Sequence, residues 1–169
     1  HRIGVNCGEL VTGNMGSDMR MNYTMMGDTV NLTARLESGA KQYGIETQVG
    51  SKIYESTKDR ITYRMLDNVV VKGRSESEKT YELISQIGKE PQVYKELLPL
   101  WEEALESYNG MNWDKAIELF QKCDDLEEDY IGRPTTPSKV YIERCETYKI
   151  TPPVIKGEKW DGVYKLTKK

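Results

Sequence analysis

Two side chains in the stretch Asn22–Ser38 have the types and the spacing to act on a phosphate. Asn31 and Arg35 are four residues apart, so on a helix they project from one face, one turn apart. An amide and a guanidinium beside a helix N-terminus form a surface that suits an anion, because both donate hydrogen bonds. Spacing alone leaves a second interpretation open, since such a pair is more often a solvated helix face.

A strand, a sharp turn and a helix are predicted to position this pair. Asn22–Met26 is typical of a short strand, which Gly27 ends because glycine tolerates a tight turn. Asp28 and Thr29 are both suited to cap the N-terminus of a helix, which is predicted over Val30–Ser38. The residues expected on its inner face and at its end are Val30, Ala34, Leu36 and, as the stop, Gly39.

The residues of this stretch, Y-T-M-M-G-D-T-V-N-L-T-A-R-L-E-S, closely resemble the strand–turn–helix signature of class III nucleotidyl cyclases. These enzymes form cyclic AMP or cyclic GMP from the nucleoside triphosphate. The resemblance extends over sixteen consecutive positions, Tyr23–Ser38. It implies an α+β fold, a partial ferredoxin-like cyclase domain built of antiparallel hairpins and helices.

Two flanking hairpins fit the same family in the right order. A strand that begins at Arg2–Val5 and continues past Gly8 to Val11 is predicted to pair with Met19–Met26. By resemblance, this is the core strand and arm that embrace a second catalytic domain, although the pattern alone fits any glycine-rich hairpin. Strands predicted over Ile61–Leu66 and Lys79–Ile84 flank a basic turn, Lys72–Lys79, that is similar to the closing hairpin of cyclases; composition alone predicts a solvated turn.

The resemblance implies catalytic roles for the pair and a phosphate contact from the second hairpin. Arg35 would stabilise the α-phosphate in the transition state, and Asn31 would orient the ribose. Lys72 would neutralise the outer phosphates as a point charge. In the family these residues face a metal-bearing half from another catalytic domain, so ATP would bind between two copies of this chain or between it and a second cyclase domain.

Three residues of the first strand are the expected contacts of the purine base. Thr24 stands where adenylate cyclases carry Asp or Thr, and its hydroxyl can accept a hydrogen bond from the adenine amine or donate one. Met25 and Met26 would add backbone groups and apolar surface. ATP is favoured over GTP, and a guanylate cyclase remains the alternative enzyme.

The family's metal ligands have no counterpart in this chain. The two aspartates that hold two Mg²⁺ or Mn²⁺ ions, and the lysine that reads the purine, are expected upstream of His1, so no metal residue is assigned here. This chain by itself is therefore expected to be inactive. A regulatory cyclase-like module without catalysis is the competing function, although the presence of Asn31, Arg35 and Lys72 speaks against it.

Composition narrows the class of protein. The 169 residues are 30% charged and carry a net charge of -3, which argues against a general nucleic-acid binder. No apolar run is long enough to span a membrane, and no signal peptide is visible. The three cysteines are widely separated and the one histidine is His1, which indicates reduced thiols, a cytoplasmic location and no histidine-based metal site.

The second half is predicted to be a small all-α tail, with a boundary near residue 88. Residues 1–88 would form the cyclase part and residues 89–169 a tetratricopeptide-like helical hairpin. Helices are predicted over Tyr94–Tyr108, Trp113–Leu126 and Ser138–Tyr148, and Trp160 is expected to dock on them. The tail resembles the helical extension of some bacterial adenylate cyclases; a structural role is favoured over a platform for a protein partner.

Overall fold

The computed structural model describes residues 1–17, 19–70, 77–127, 133–154 and 160–165. These residues form seven strands and five helices, which confirms the α+β class. The elements in chain order are β1 (Ile3–Val5), β2 (Val11–Ser17), β3 (Arg20–Met26), α1 (Asp28–Tyr43), β4 (Thr47–Gly50), α2 (Ser51–Thr57), β5 (Ile61–Val70), β6 (Ser77–Gln86), α3 (Tyr94–Asn109), α4 (Trp113–Leu126), α5 (Pro137–Ile150) and β7 (Tyr164–Lys165).

The strands form a five-stranded mixed sheet and a separate two-stranded hairpin. The order in the sheet is β1-β4-β6-β5-β7, with parallel pairing at its two edges, and β2 pairs with β3. The predicted continuous strand from Arg2 to Val11 is wrong. Ile3 pairs with Thr47 in the sheet whereas Val11 pairs with Met26 in the hairpin, so the chain must leave one sheet before it enters the other.

Helix α1 is longer than predicted. Gly39 does not end it; the helix continues to Tyr43, and Gly44 ends it in the left-handed conformation with φ 63°. Gly39 serves close packing instead, because a Cβ there would lie 2.8 Å from Oε1 of Gln48 on β4. The N-cap residue is Gly27, so the predicted caps Asp28 and Thr29 lie inside the helix or at its first turn.

The buried face of α1 also differs from the predicted one. Leu32, Leu36, Ala40 and Tyr43 are buried, while Ala34 is exposed. The buried residues recur at the spacing of one helix face, and that face packs on the sheet. Leu36 is buried as predicted and Val30 is half-buried, so the prediction was wrong only for Ala34, because the pattern over Val30–Ser38 was too short to distinguish the two neighbouring faces.

The predicted helices of the second half exist, with small differences at their ends. Helix α5 begins at Pro137, one residue earlier than predicted, and Thr136 caps it by accepting a hydrogen bond from the Lys139 amide at 3.1 Å. Trp160 packs on the helices as predicted, with its ring 5.0 Å from that of Tyr108. The tail also contributes β7, which pairs with the end of β5.

One hydrophobic core joins the two halves. Leu66 of β5 and Tyr43 of α1 belong to the same buried cluster as Trp101, Phe120 and Tyr141 of the tail. Tyr141 donates a hydrogen bond to the Leu66 carbonyl at 2.5 Å. The tail is therefore packed against the sheet, and the division at residue 88 stays a prediction.

Gly44→Ala is expected to destabilise the protein by more than about 2 kcal/mol, because alanine disfavours a positive φ and its Cβ would overlap the Thr135 carbonyl oxygen. The matched control is Gly88→Ala, which also has a positive φ but has open space around the added Cβ. That variant should lose only about 1 kcal/mol. Urea unfolding measures both, and equal losses would contradict the close approach of Thr135.

Candidate functional site

Asn31 and Arg35 are both exposed and lie on one flank of α1. The opposite flank is closed by β1, because a Cβ on Gly4 would press against the backbone of Thr33 and Glu37. The face between the flanks is buried on the sheet. The Asn31–Arg35 flank is therefore an exposed side of α1 that can meet a ligand.

The segment between β1 and β2 fixes the N-terminus of α1. The side-chain amide of Asn6 donates a hydrogen bond to the backbone carbonyl of Thr29 at 3.5 Å. Gly8 lies against the Thr29 side chain, which leaves no room for a Cβ. Gly27 precedes the helix with φ 143°, and its carbonyl accepts a hydrogen bond from the backbone N–H of Asn31 at 3.2 Å. The N-terminus of α1 therefore lies beside the Asn31 side chain, and it carries the partial positive charge of the helix dipole.

The predicted purine contacts lie on β3, immediately before α1. Thr24, Met25 and Met26 are all exposed and pair with Gly13, Thr12 and Val11 of β2. Side chains alternate along a strand, so Thr24 and Met26 share one face of the hairpin while Met25 lies on the other. Of the three, only Thr24 and Met26 can present their side chains to one ligand.

The predicted phosphate contact Lys72 lies outside the described residues. The two strands predicted on either side of Lys72 are confirmed. Strand β5 ends at Val70, β6 begins at Ser77, and the two pair antiparallel. In the structure Asn31 and Arg35 lie on one flank of α1, and β3 directly precedes that helix in the chain.

The β2–β3 hairpin exposes large apolar side chains. Tyr23 is 73% exposed, and Met21 and Met25 on the same face are each more than half exposed. Folded domains rarely leave such a patch uncovered, so this arm is a candidate contact surface.

Two buried groups of charged residues in the sheet and the tail were not foreseen from the sequence. Arg64 pairs with Glu82 at 2.6 Å and with Glu127 of the tail, and all three are largely enclosed. Burial raises the pKa of the Glu82 carboxyl although Arg64 opposes the shift. The available signal was the charged Arg64 inside the predicted strand, between Tyr63 and Met65.

The second group connects α1, β5 and α5. Arg144 donates to Asp67 at 2.6 Å and to the Tyr43 hydroxyl at 3.0 Å, and that hydroxyl donates to Asp67 at 2.5 Å. Burial first, and the Asp67 carboxylate second, raise the pKa of Tyr43 above its ordinary value. The Tyr43 hydroxyl therefore keeps its proton and remains a donor.

The residues that the structure describes contain no group of three His, Cys, Asp or Glu side chains that could hold a metal ion. The donor set that two Mg²⁺ or Mn²⁺ ions require is therefore not met by this part of the chain. Within the same residues, no helix is both long enough and apolar enough to cross a membrane. All three cysteines are free, with Cys7 exposed and Cys123 and Cys145 buried.

Comparison with known proteins gives consistent results. "Adenylate cyclase, terminal-differentiation specific" of Dictyostelium discoideum is 31% identical over 147 residues, which are 85% of this chain and 7% of that protein. "Adenylate cyclase 1" of Rhizobium meliloti (strain 1021) is 36% identical over 86 residues, 51% of this chain and 13% of that protein. The crystal structure of the adenylyl cyclase CyaB from P. aeruginosa aligns with a TM-score of 0.42 at 34% identity, over 48% of this chain and 41% of that one.

The chain spans only a small part of the length of these curated relatives. Residues 1–85 match the family described as the adenylate and guanylate cyclase catalytic domain. The match covers half of the chain, from β1 to all but the last residue of β6. This chain therefore belongs to the adenylate and guanylate cyclase catalytic domain family.

Proposed function

We propose that the chain is the later part of the catalytic domain of an adenylate cyclase, which forms cyclic AMP and pyrophosphate from ATP. The observation that carries the proposal is the exposure of Asn31 and Arg35 on one flank of α1, beside its N-terminus. Both lie within the residues that match the family. The relatives named above, which are adenylate cyclases, favour this product over cyclic GMP.

The reaction develops negative charge on the phosphate groups, and we assign its stabilisation to these side chains. The ribose 3′-oxygen forms a bond to the α-phosphorus, the bond from that phosphorus to the bridging oxygen breaks, and pyrophosphate leaves with the electron pair. The 3′-hydroxyl proton passes to solvent. Arg35 stabilises the negative charge that grows on the α-phosphoryl oxygens, because a guanidinium donates two parallel hydrogen bonds. Asn31 orients the ribose, and Lys72 neutralises the outer phosphates.

Base selection is assigned to the hairpin face that carries Thr24 and Met26. The Thr24 hydroxyl accepts from the adenine amine, and Met26 adds apolar contact with the ring. Met25 lies on the opposite face and contributes through its backbone. In support, β3 pairs only with β2 among the described residues, so its other edge can offer backbone groups to a base.

The site is completed by a second catalytic domain. Support comes from the exposed apolar side chains of the β2–β3 arm, above all Tyr23 and Met21, which a partner domain would cover. The two Mg²⁺ or Mn²⁺ ions would activate the 3′-hydroxyl and grip the phosphates when bound. We assign their aspartates to another part of the longer protein and not to this chain, so we expect this chain by itself to be inactive. The three free cysteines favour a cytoplasmic location.

The experiment that tests this function uses the longer protein that contains this chain. We expect it to form cyclic AMP and pyrophosphate from ATP with magnesium, and Asn31→Ala to lower kcat at least tenfold. The matched control is Gln42→Ala, which removes an exposed amide from the same helix and should leave kcat unchanged. Cyclic GMP from GTP would identify a guanylate cyclase instead. Nucleotide binding without any product would identify a regulatory module.

A further inference from the structure

A buried hydroxyl group at the end of α1 is one of the contacts that connect this helix to the tail. Tyr43 is the last residue of α1, and its hydroxyl lies between Asp67 on β5 and Arg144 on α5. Each of the three groups contacts the other two at 2.5–3.0 Å. All three are buried, so each bond is protected from water and stronger than it would be on the surface.

Arg144 is itself held in place by aromatic rings of the tail. Its guanidinium lies 3.6 Å from the ring centre of Tyr164 on β7 and 5.1 Å from that of Tyr141. The Asp67 carboxylate balances its charge at 2.6 Å. Arg144 therefore has little freedom to move, and it gives the Tyr43 hydroxyl a fixed partner.

Tyr43 fixes the C-terminal end of α1, whereas the segment between β1 and β2 fixes its N-terminus. Arg35 lies eight residues before Tyr43, which is about 12 Å along a helix that rises 1.5 Å per residue. Helix α1 is continuous over these two turns, so we expect a displacement at Tyr43 to be carried to the Arg35 side chain. Displacements near 1 Å in a catalytic group can cost about 100-fold in rate.

We propose that Tyr43 is a positioning residue for the cyclase reaction, and that Asp67 and Arg144 hold its hydroxyl so that α1 presents Asn31 and Arg35 correctly. The tail is thereby part of the catalytic unit, because one of the two partners of Tyr43 belongs to α5. The expected effect on turnover rests on the proposed function. The hydrogen-bonded connection between Tyr43 and the tail does not.

The decisive variant is Tyr43→Phe in the longer protein, because it removes the hydroxyl and keeps the ring and the Arg144–Asp67 ion pair. We expect kcat for cyclic AMP formation to fall about threefold to tenfold with KM for ATP unchanged. The matched control is Tyr141→Phe. This variant removes an equally buried hydroxyl, which donates its hydrogen bond to the Leu66 carbonyl of β5 and not to α1, and it keeps the ring beside Arg144. It should lower Tm by a similar amount and leave kcat unchanged.

Equal losses of kcat in the two variants, or an unchanged kcat in Tyr43→Phe, would overturn the proposal. Should Tyr43→Phe not fold, Arg144→Lys makes the same test. Its ammonium keeps the charge beside Asp67 but lacks the planar fork that bonds both partners. We expect a reduced kcat with an unchanged KM, and a normal kcat would count against a positioning role.

A second measurement separates this inference from the proposed function. If the unmodified protein forms no cyclic nucleotide, the proposed function falls, and amide hydrogen exchange then decides the inference. We expect the amides of α1 to exchange faster in Tyr43→Phe than in the unmodified protein, and at the unmodified rate in Tyr141→Phe. Equal exchange in both variants would overturn the mechanical connection.

Discussion

Replacing Arg35 with alanine is expected to lower kcat for cyclic AMP formation about 100- to 1000-fold while leaving KM for ATP nearly unchanged. The guanidinium is assigned to charge that exists only in the transition state, so its loss affects turnover and not substrate binding. Folding should be little affected, because the Arg35 side chain is exposed and makes no hydrogen bond or ion pair with the described part of the chain.

Steady-state kinetics of the longer protein measures this effect, with two control variants. Lys41→Ala removes another exposed cation from α1, near its C-terminal end, and should leave kcat unchanged. Arg35→Lys should recover only part of the lost rate, because an ammonium is a point charge without the bidentate fork. A raised KM with normal kcat in Arg35→Ala would show that Arg35 binds the ground state and would contradict the assigned role.

Trp101→Ala should reduce the free energy of unfolding by about 3–5 kcal/mol. Trp101 is 1% exposed, donates a hydrogen bond to the Met65 carbonyl at 2.7 Å, and stacks edge to face with Phe120. The Arg64 guanidinium lies 4.8 Å from its ring centre, so the substitution also exposes a buried charge to an empty space. Because Trp101 bonds to β5, this loss should destabilise the sheet and the tail together.

Urea unfolding measures this loss, and Trp113→Ala is its matched control. Trp113 lies in the same tail and contacts Tyr108 and Trp160, but it is only half-buried. We expect its replacement to cost less than half as much. A larger loss for Trp113 than for Trp101 would contradict the placement of the core. Two separate unfolding transitions would contradict a core shared by sheet and tail.

Local patterns in the sequence were sufficient for the parts of the site that lie close together in the chain. The spacing of Asn31 and Arg35 puts them on one helix face in any fold that keeps the helix, and the structure places both on an exposed flank of α1. The β2–β3 hairpin and helices α3 and α4 follow from turn residues and apolar periodicity in the same way. Their roles in catalysis stay predictions.

Contacts between distant residues decided the rest. Gly39 looks like a helix stop in the sequence, yet it permits the approach of Gln48, and only the packed structure distinguishes the two uses. The pairing of β7 with β5 joins residues far apart in the chain, and no short pattern encodes such a partner.

The buried charges show most clearly why the sequence was not enough. A charged residue such as Asp67 is unfavourable inside a core unless a partner neutralises it, and its partner Arg144 comes from 77 positions further along the chain. The sequence by itself determined the strand–turn–helix and the exposed Asn31–Arg35 pair, because those depend on neighbours. Only the tertiary structure decided that α1 is held at Tyr43 by the tail, because that contact exists only when separate elements pack together.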